Sequence, residues 1–129
     1  MNLTSSGGNG YSWSGPGGYS SSSQNPSISP VTAGSAGTYI VTVTNAAGCS
    51  ATDNVIVTVN NLPNADAGIN DTICPGASTT LNATGGSTYL WSPIDSLSDA
   101  TIFNPVANPA VNTTYTVTVT DGNGCSNTD

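Results

Sequence analysis

The chain has 129 residues and a formal net charge of −7, because it carries seven acidic residues and no Lys, Arg or His. A chain without cationic side chains cannot neutralise phosphates, which excludes nucleic-acid binding and adhesion to anionic lipid. The lack of His and Lys also excludes Ser–His and Cys–His nucleophile pairs and imidazole metal ligands. We therefore predict no catalytic residue and expect a protein that is not an enzyme.

The first half of the chain predicts short β-strands joined by turns. β-branched and aromatic residues alternate there with Ser and Thr, which is the pattern of a strand with one buried and one wet face. The predicted strands are residues 11–14, a Pro-bounded edge strand at 25–31, residues 37–44 and residues 54–60. They form one predicted domain over residues 1–60, followed by a Pro-stiffened linker at residues 61–64.

The second half predicts a similar domain over residues 65–129. Its predicted strands are residues 66–74, 79–82, 89–91 and 113–120. The strand at 113–120 repeats the one at 37–44, and an Asn/Asp/Gly turn with a cysteine follows both copies. Aligned on this repeat, the first domain lacks its first strand and the second lacks its last strand. Either the chain belongs to a longer array, or neighbouring chains supply the missing strands.

The three cysteines predict one disulfide within the chain. Cys74 and Cys125 bracket the second domain, and a bond between them closes a loop of about 52 residues, worth about 4 kcal/mol. Cys49 then has no partner inside the chain, because the repeat places that partner before Met1. The pattern indicates oxidising, extracellular surroundings.

A combination of motifs covers nearly the whole chain. The motifs are residues 63–76, 89–93, 97–99, 104–105 and 113–125 of the second domain, with residues 11–16 and 37–39 of the first. Together they resemble the PKD-like and Ig-like repeats of Bacteroidetes cell-surface proteins. The Trp-x-Phe-Gly-Asp-Gly loop of typical PKD domains is absent, which favours the Ig-like description.

The resemblance implies an all-β chain of tandem Ig-like (PKD-like) antiparallel β-sandwiches, each lacking one terminal strand. It implies a structural or adhesive segment of a long type IX-secreted protein at the cell surface, in adhesion or gliding motility. Neighbouring repeats of the same array are then the expected partners. Two alternatives stay open: a carbohydrate-binding module of a secreted protein, and a filament subunit that other copies complete by strand exchange.

Some residues are candidates for binding or modification. Asp66, Asp71 and Asp121 are candidate ligands for calcium, the one candidate cofactor, because this hard ion prefers carboxylate oxygens; solvated surface carboxylates are the simpler interpretation. Thr72 and Ser96 follow aspartates in the short Asp-Ser/Thr-apolar pattern of O-glycosylation sites.

The two tryptophans have two interpretations. Trp13 and Trp91 are expected in the core of their sandwiches, and the alternative is that they stack on glycans. No apolar run approaches the roughly 20 residues of a membrane span, so we expect no membrane insertion.

Overall fold

The computed structural model describes every residue from Met1 to Asp129. It contains antiparallel sheets and no α-helix, which confirms the predicted all-β class. The chain divides into two compact parts, which we call the first unit, Met1–Asn60, and the second unit, Asn61–Asp129.

The first unit contains one four-stranded sheet. Its strands are β1 (Gly10–Ser14), β2 (Ser20–Ser21), β3 (Gly37–Thr44) and β4 (Ser50–Val57), in the order β2-β1-β3-β4. Short 3-10 turns at Pro16–Gly18 and Ala33–Ser35 lie between the strands. All neighbouring strands are antiparallel, and β1 and β3 are the two interior strands, each paired on both sides.

The core of the first unit follows from the alternation in β1 and β3. Tyr39 and Val41 of β3 are buried, whereas Ile40 between them is exposed, because successive side chains of a strand point to opposite faces. Trp13 of β1 lies directly opposite Val41 and is also buried. Leu3 completes this cluster from the segment that precedes β1.

The second unit contains two small sheets. Its strands are β5 (Thr79–Thr80), β6 (Thr88–Ser92), β7 (Val106–Ala107), β8 (Thr116–Thr120) and β9 (Ser126–Thr128). Strand β5 pairs with β7, and β6, β8 and β9 form a three-stranded sheet in that order. Trp91 lies opposite Val117 and Tyr89 opposite Val119, and these two valines are fully buried together with Ala83 and Trp91.

An Asx turn closes the long hairpin of each unit. The side chain of Asn45 accepts the backbone N–H groups of Ala47 and Cys49 at 2.9 and 3.0 Å. Asp121 does the same for Asn123 and Cys125 at 2.8 and 2.9 Å. Short side chains that bond to the backbone two and four residues ahead favour a turn over continued pairing, which explains why both strands end at this point.

The outer strands of the structure differ from the predicted ones. Of residues 66–74, only Asp66 is paired, through a single bridge to Thr84, and the rest of this range forms no strand. Residues 25–31 contain only the bridge between Ser27 and Asn2, because their prolines cannot donate to a ladder. Strand β4 begins at Ser50, four residues earlier than predicted.

The predicted linker at residues 61–64 is not a free connection. Pro63 is buried in the second unit, and its carbonyl accepts a hydrogen bond from the Asn127 side-chain amide at 3.1 Å. Ala65 and Ala67 pack against the same core as Trp91. Alternate residues from Pro63 onward therefore face the interior of the second unit.

The two tryptophans differ in one polar contact, and this difference predicts different costs of substitution. The indole N–H of Trp91 donates to the carbonyl of Ile102 at 3.0 Å, whereas the buried N–H of Trp13 has no partner in the chain. Substitution by phenylalanine removes a similar apolar area at Trp13 and at Trp91, but it breaks a hydrogen bond only at Trp91. We expect Trp91→Phe to destabilise its unit by about 1 kcal/mol more than Trp13→Phe destabilises the first.

Denaturant-dependent amide exchange gives the two opening free energies separately. The amides of Val41 in β3 and Val117 in β8 report on the first and second unit. Equal losses in both units, or a larger loss for Trp13→Phe, would contradict the expected difference.

Candidate functional site

Neither tryptophan offers a platform for a sugar ring. Trp13 is 3% exposed and Trp91 is 1% exposed, so both indole faces are covered by the cores of their units. An aromatic residue that stacks on a glycan needs an open face. The arrangement matches the core interpretation of these residues and provides no support for stacking on glycans.

Tyr39 and Tyr115 donate their hydroxyl groups to backbone carbonyls. The Tyr39 hydroxyl donates to the carbonyl of Ser35 at 2.9 Å, four residues upstream, as in a tyrosine corner. The Tyr115 hydroxyl reaches the carbonyl of Asp95 at 3.2 Å instead. Burial, with a smaller contribution from the Asp95 carboxylate, raises the pKa of Tyr115 above its ordinary value. Both hydroxyl groups thus fix local structure.

The predicted disulfide between Cys74 and Cys125 is wrong, because all three cysteines are free. Cys125 follows the turn after β8, whereas Cys74 lines a groove together with residues 113–115, which precede β8. A strand of five residues spans about 16 Å, far more than the roughly 7 Å that a disulfide allows between Cα atoms. Cys49 is exposed and free as well. The cysteines therefore give no structural argument for oxidising surroundings.

The three candidate calcium ligands do not come together. The structure contains no group of three or more Asp, Glu, His or Cys side chains placed to share a metal ion. Each carboxylate instead accepts local hydrogen bonds: Asp66 from the amide of Gly68, Asp121 from its own turn, and Asp71 from Thr72 and Thr79. These are the contacts of surface carboxylates that stabilise turns, and the predicted calcium site gains no support from them.

The two candidate glycosylation residues are accessible. Thr72 and Ser96 are both exposed and lie outside the strands. Ser96 is the one non-glycine residue with a positive φ, at 65°, in the turn between β6 and β7. O-glycosylation at these exposed positions stays a prediction.

A groove of about 560 Å³ runs along the first unit. The segment Thr4–Gly7 and residues of β3 and β4 line it. Asp53 of β4 lies opposite the buried Val41, so its carboxylate is on the inner face of the sheet. Asp53 is also the only charged side chain in the first unit. No sequence motif pointed to Asp53, although an aspartate at an inward position of an alternating strand can be recognised in the sequence.

A second groove, of about 570 Å³, lies in the second unit. The loop at residues 67–75 and the segment at residues 109–115 border it. Exposed Ile69 and Val111 lie at this groove. Strand β9 ends at Thr128, so the residues before β8 have no strand beside them, whereas β4 continues alongside the whole of β3. The second groove thus borders an incompletely paired region of its sheet.

The chain matches no protein-family model and no curated protein. Its only helical segments are two 3-10 turns, and neither has the length or the apolar character that a membrane span requires. The resemblance to PKD-like and Ig-like repeats therefore stays a prediction from the sequence motifs.

The hydrogen bonds of Asp71 predict a local titration shift. The Thr79 hydroxyl, and to a lesser extent the Thr72 amide, hold the pKa of Asp71 below its ordinary value by stabilising the carboxylate. A lowered pKa in the folded state favours folding above the ordinary aspartate pKa, and this contribution is lost as the pH falls through the lowered value. We expect Thr79→Val to raise the pKa of Asp71 towards the ordinary range.

Carboxyl ¹³C titration by NMR measures this shift, and the chain provides a matched control. Asp99 accepts both the hydroxyl and the amide of Thr101, which lower its pKa in the same way. Thr101→Val should raise the pKa of Asp99 and leave Asp71 unchanged. A pKa of Asp71 that does not respond to Thr79→Val would disprove the assigned cause.

Proposed function

We propose that the chain is a structural and adhesive repeat segment of a long extracellular surface protein or filament. In this proposal each unit is an Ig-like (PKD-like) sandwich with one terminal strand missing, and neighbouring repeats of the same array are its partners. The segment acts as a stalk or spacer that carries adhesive or motile machinery away from a cell surface. No cofactor and no catalytic chemistry belong to this role.

The recurrence of one hairpin core in both units carries the proposal. Trp13 and Trp91 each lie opposite a valine of the next strand in the same register. The hydroxyl of Tyr11 donates to the carbonyl of Gly8 at 2.9 Å, and Tyr89 makes the equivalent contact at 2.9 Å. Two compact units that repeat the same backbone contacts are the minimum of a modular array.

The surface chemistry also supports a spacer. Every charged side chain is an aspartate, and no Lys or Arg offers a cleavage site to trypsin-like proteases. The aromatic residues with the largest stacking faces are in the cores and not on the surface. A surface that is anionic and without cations resists collapse onto other anionic surfaces. These properties suit a segment that provides reach and persistence.

Single-molecule stretching tests the proposed mechanical role. When the chain is pulled from its two ends, we expect two separate unfolding events, because the chain consists of two compact units. Each event should release about 200 Å of contour length, since about 60 residues extend at roughly 3.5 Å each. A single event of twice that length, or extension without a resolved force peak, would contradict a chain of two independent load-bearing modules.

A further inference from the structure

The segment Pro63–Gly68, which we call the edge segment, lies in the second unit between Thr84 and Asp129. Asp66 exchanges backbone hydrogen bonds with Thr84, at 3.3 and 2.8 Å. The backbone N–H of Ala67 donates to the Oδ2 atom of Asp129 at 2.9 Å. The edge segment is therefore held by pairing on one side and by a carboxylate on the other.

Small side chains allow this seating. Pro63 is buried, and Ala65 and Ala67 are half-buried against the core. These three positions alternate along the segment, which is the periodicity of an extended strand with one face inward. With the edge segment in place, Val119 of β8 is 0% exposed.

The first unit has a carboxylate at the position equivalent to Asp129, but no edge segment lies beside it. Asp53 lies opposite Val41, and Asp129 occupies the corresponding place opposite Val117, with which it exchanges two backbone hydrogen bonds at 2.9 and 3.1 Å. In the second unit this carboxylate accepts the amide of the edge segment. In the first unit Asp53 accepts only the amide of its neighbour Asn54, at 2.8 Å.

The pairing position is also present in the first unit. Leu3 and Leu81 each donate a backbone hydrogen bond to a buried proline carbonyl, at 2.9 and 3.0 Å. Ser6 and Thr84 each lie three residues further along the chain. Thr84 pairs with the edge segment, whereas Ser6 makes no backbone hydrogen bond in the chain.

The groove of the first unit lies between these two positions. Ser6 and Asp53 both line its volume of about 560 Å³. Val43, which occupies the place of Val119 opposite the hairpin tyrosine, also lines the groove and remains partly exposed. The groove thus leaves accessible the apolar surface that the edge segment covers in the second unit.

One glycine in each unit has a backbone conformation that leaves room for a close carbonyl oxygen, and only in the second unit does an edge segment fill that room. Gly85 has a φ of +105°, and a Cβ atom there would lie 2.0 Å from the carbonyl oxygen of Asn64. Gly7 has nearly the same conformation, with a φ of +96°, but nothing lies within 4 Å of its Cβ position. The first unit keeps the left-handed glycine that makes room for a carbonyl oxygen and leaves that space open.

We infer that this groove binds an extended segment of another polypeptide, with small apolar residues at alternate positions and the pattern Pro-x-Ala-x-Ala-Gly. The bound segment pairs with the backbone of Ser6 and donates one N–H group to the carboxylate of Asp53. Its small side chains cover Val43, as in the addition of a strand to a sheet edge. Such docking adds a binding activity to the proposed spacer role.

The structure favours a separate polypeptide over a second copy of this chain. The one segment of the chain with the required pattern, Pro63–Gly68, is already seated in its own second unit. Its transfer to another copy would uncover Ala65 and Ala67 and break the contacts with Thr84 and Asp129. In such an exchange, the contacts that the segment gains in another copy only replace those that it loses in its own second unit.

NMR titration of the whole ¹⁵N-labelled chain tests the inference. The probe is a synthetic peptide with the sequence of residues 61–70, acetylated at its N-terminus and amidated at its C-terminus. We expect saturable shifts of the amides of Ser6, Gly7 and Asp53, and no shifts around Thr84, whose partner is already in place. Replacing both peptide alanines by glutamate should abolish the shifts, because bulky charged side chains cannot enter the groove.

Two variants of the chain separate docking from non-specific contact. Asp53→Ala should weaken peptide binding about tenfold. In this variant, N-methylation of the peptide at the position of Ala67 should not weaken binding further, because the methylated N–H group no longer has an acceptor. Gly7→Ala should abolish binding by filling the space for the carbonyl oxygen. Gly17→Ala is its control, since Gly17 also has a positive φ, at +64°, with nothing within 4 Å.

Several results would overturn the inference. The inference is wrong if the amides of Ser6 and Asp53 do not respond to millimolar peptide, or if the glutamate-substituted peptide binds equally well. Equal affinity for the chain and its Asp53→Ala variant, with the fold intact by β3 amide dispersion, would also refute it. A dimer of the free chain in sedimentation, with the Ser6 amide protected, would assign the groove to a second copy instead.

Discussion

A buried tryptophan that faces a buried valine across an antiparallel ladder holds each unit together. Trp13 lies opposite Val41, and Trp91 lies opposite Val117. Units of about 60 residues bury little apolar surface, so a single large aromatic side chain provides a major share of each core. Turns, tyrosine hydroxyl groups and the central strand all fix the position of this pair. Truncation of either indole would remove about 3–5 kcal/mol, a large fraction of the stability of so small a unit.

The remaining difference between the units concerns the edge of the ladder. In the second unit, Pro63–Gly68 covers the core beside β8 and leaves Val119 fully buried. In the first unit, Val43 is only partly covered, and the only charged side chain, Asp53, lies on the inner face of β4. A charged inward residue is a known protection of an exposed edge, and it is also a hydrogen-bond acceptor for an added strand. The proposed docking segment uses this acceptor.

The sequence predicts those features that depend on neighbouring residues. Alternation along 37–44 and 113–120 is local, as is the bonding of an Asn or Asp side chain to the turn ahead, and both central strands follow from it. The prediction of a disulfide failed because cysteine spacing contains no information on the distance from Cys74 to the far end of β8. The groove at Asp53 was missed because its shape depends on which segment covers a sheet edge, and no local pattern shows that.

Amide hydrogen exchange at Ser6 and Thr84 tests most directly whether edge coverage distinguishes the two units. The amide of Thr84 donates to the carbonyl of Asp66 at 2.8 Å, whereas that of Ser6 has no backbone partner. We expect exchange at Thr84 to be slowed by at least about tenfold relative to an unstructured chain, and exchange at Ser6 to be close to the unstructured rate. Equal rates at the two amides, or stronger protection at Ser6, would contradict the account.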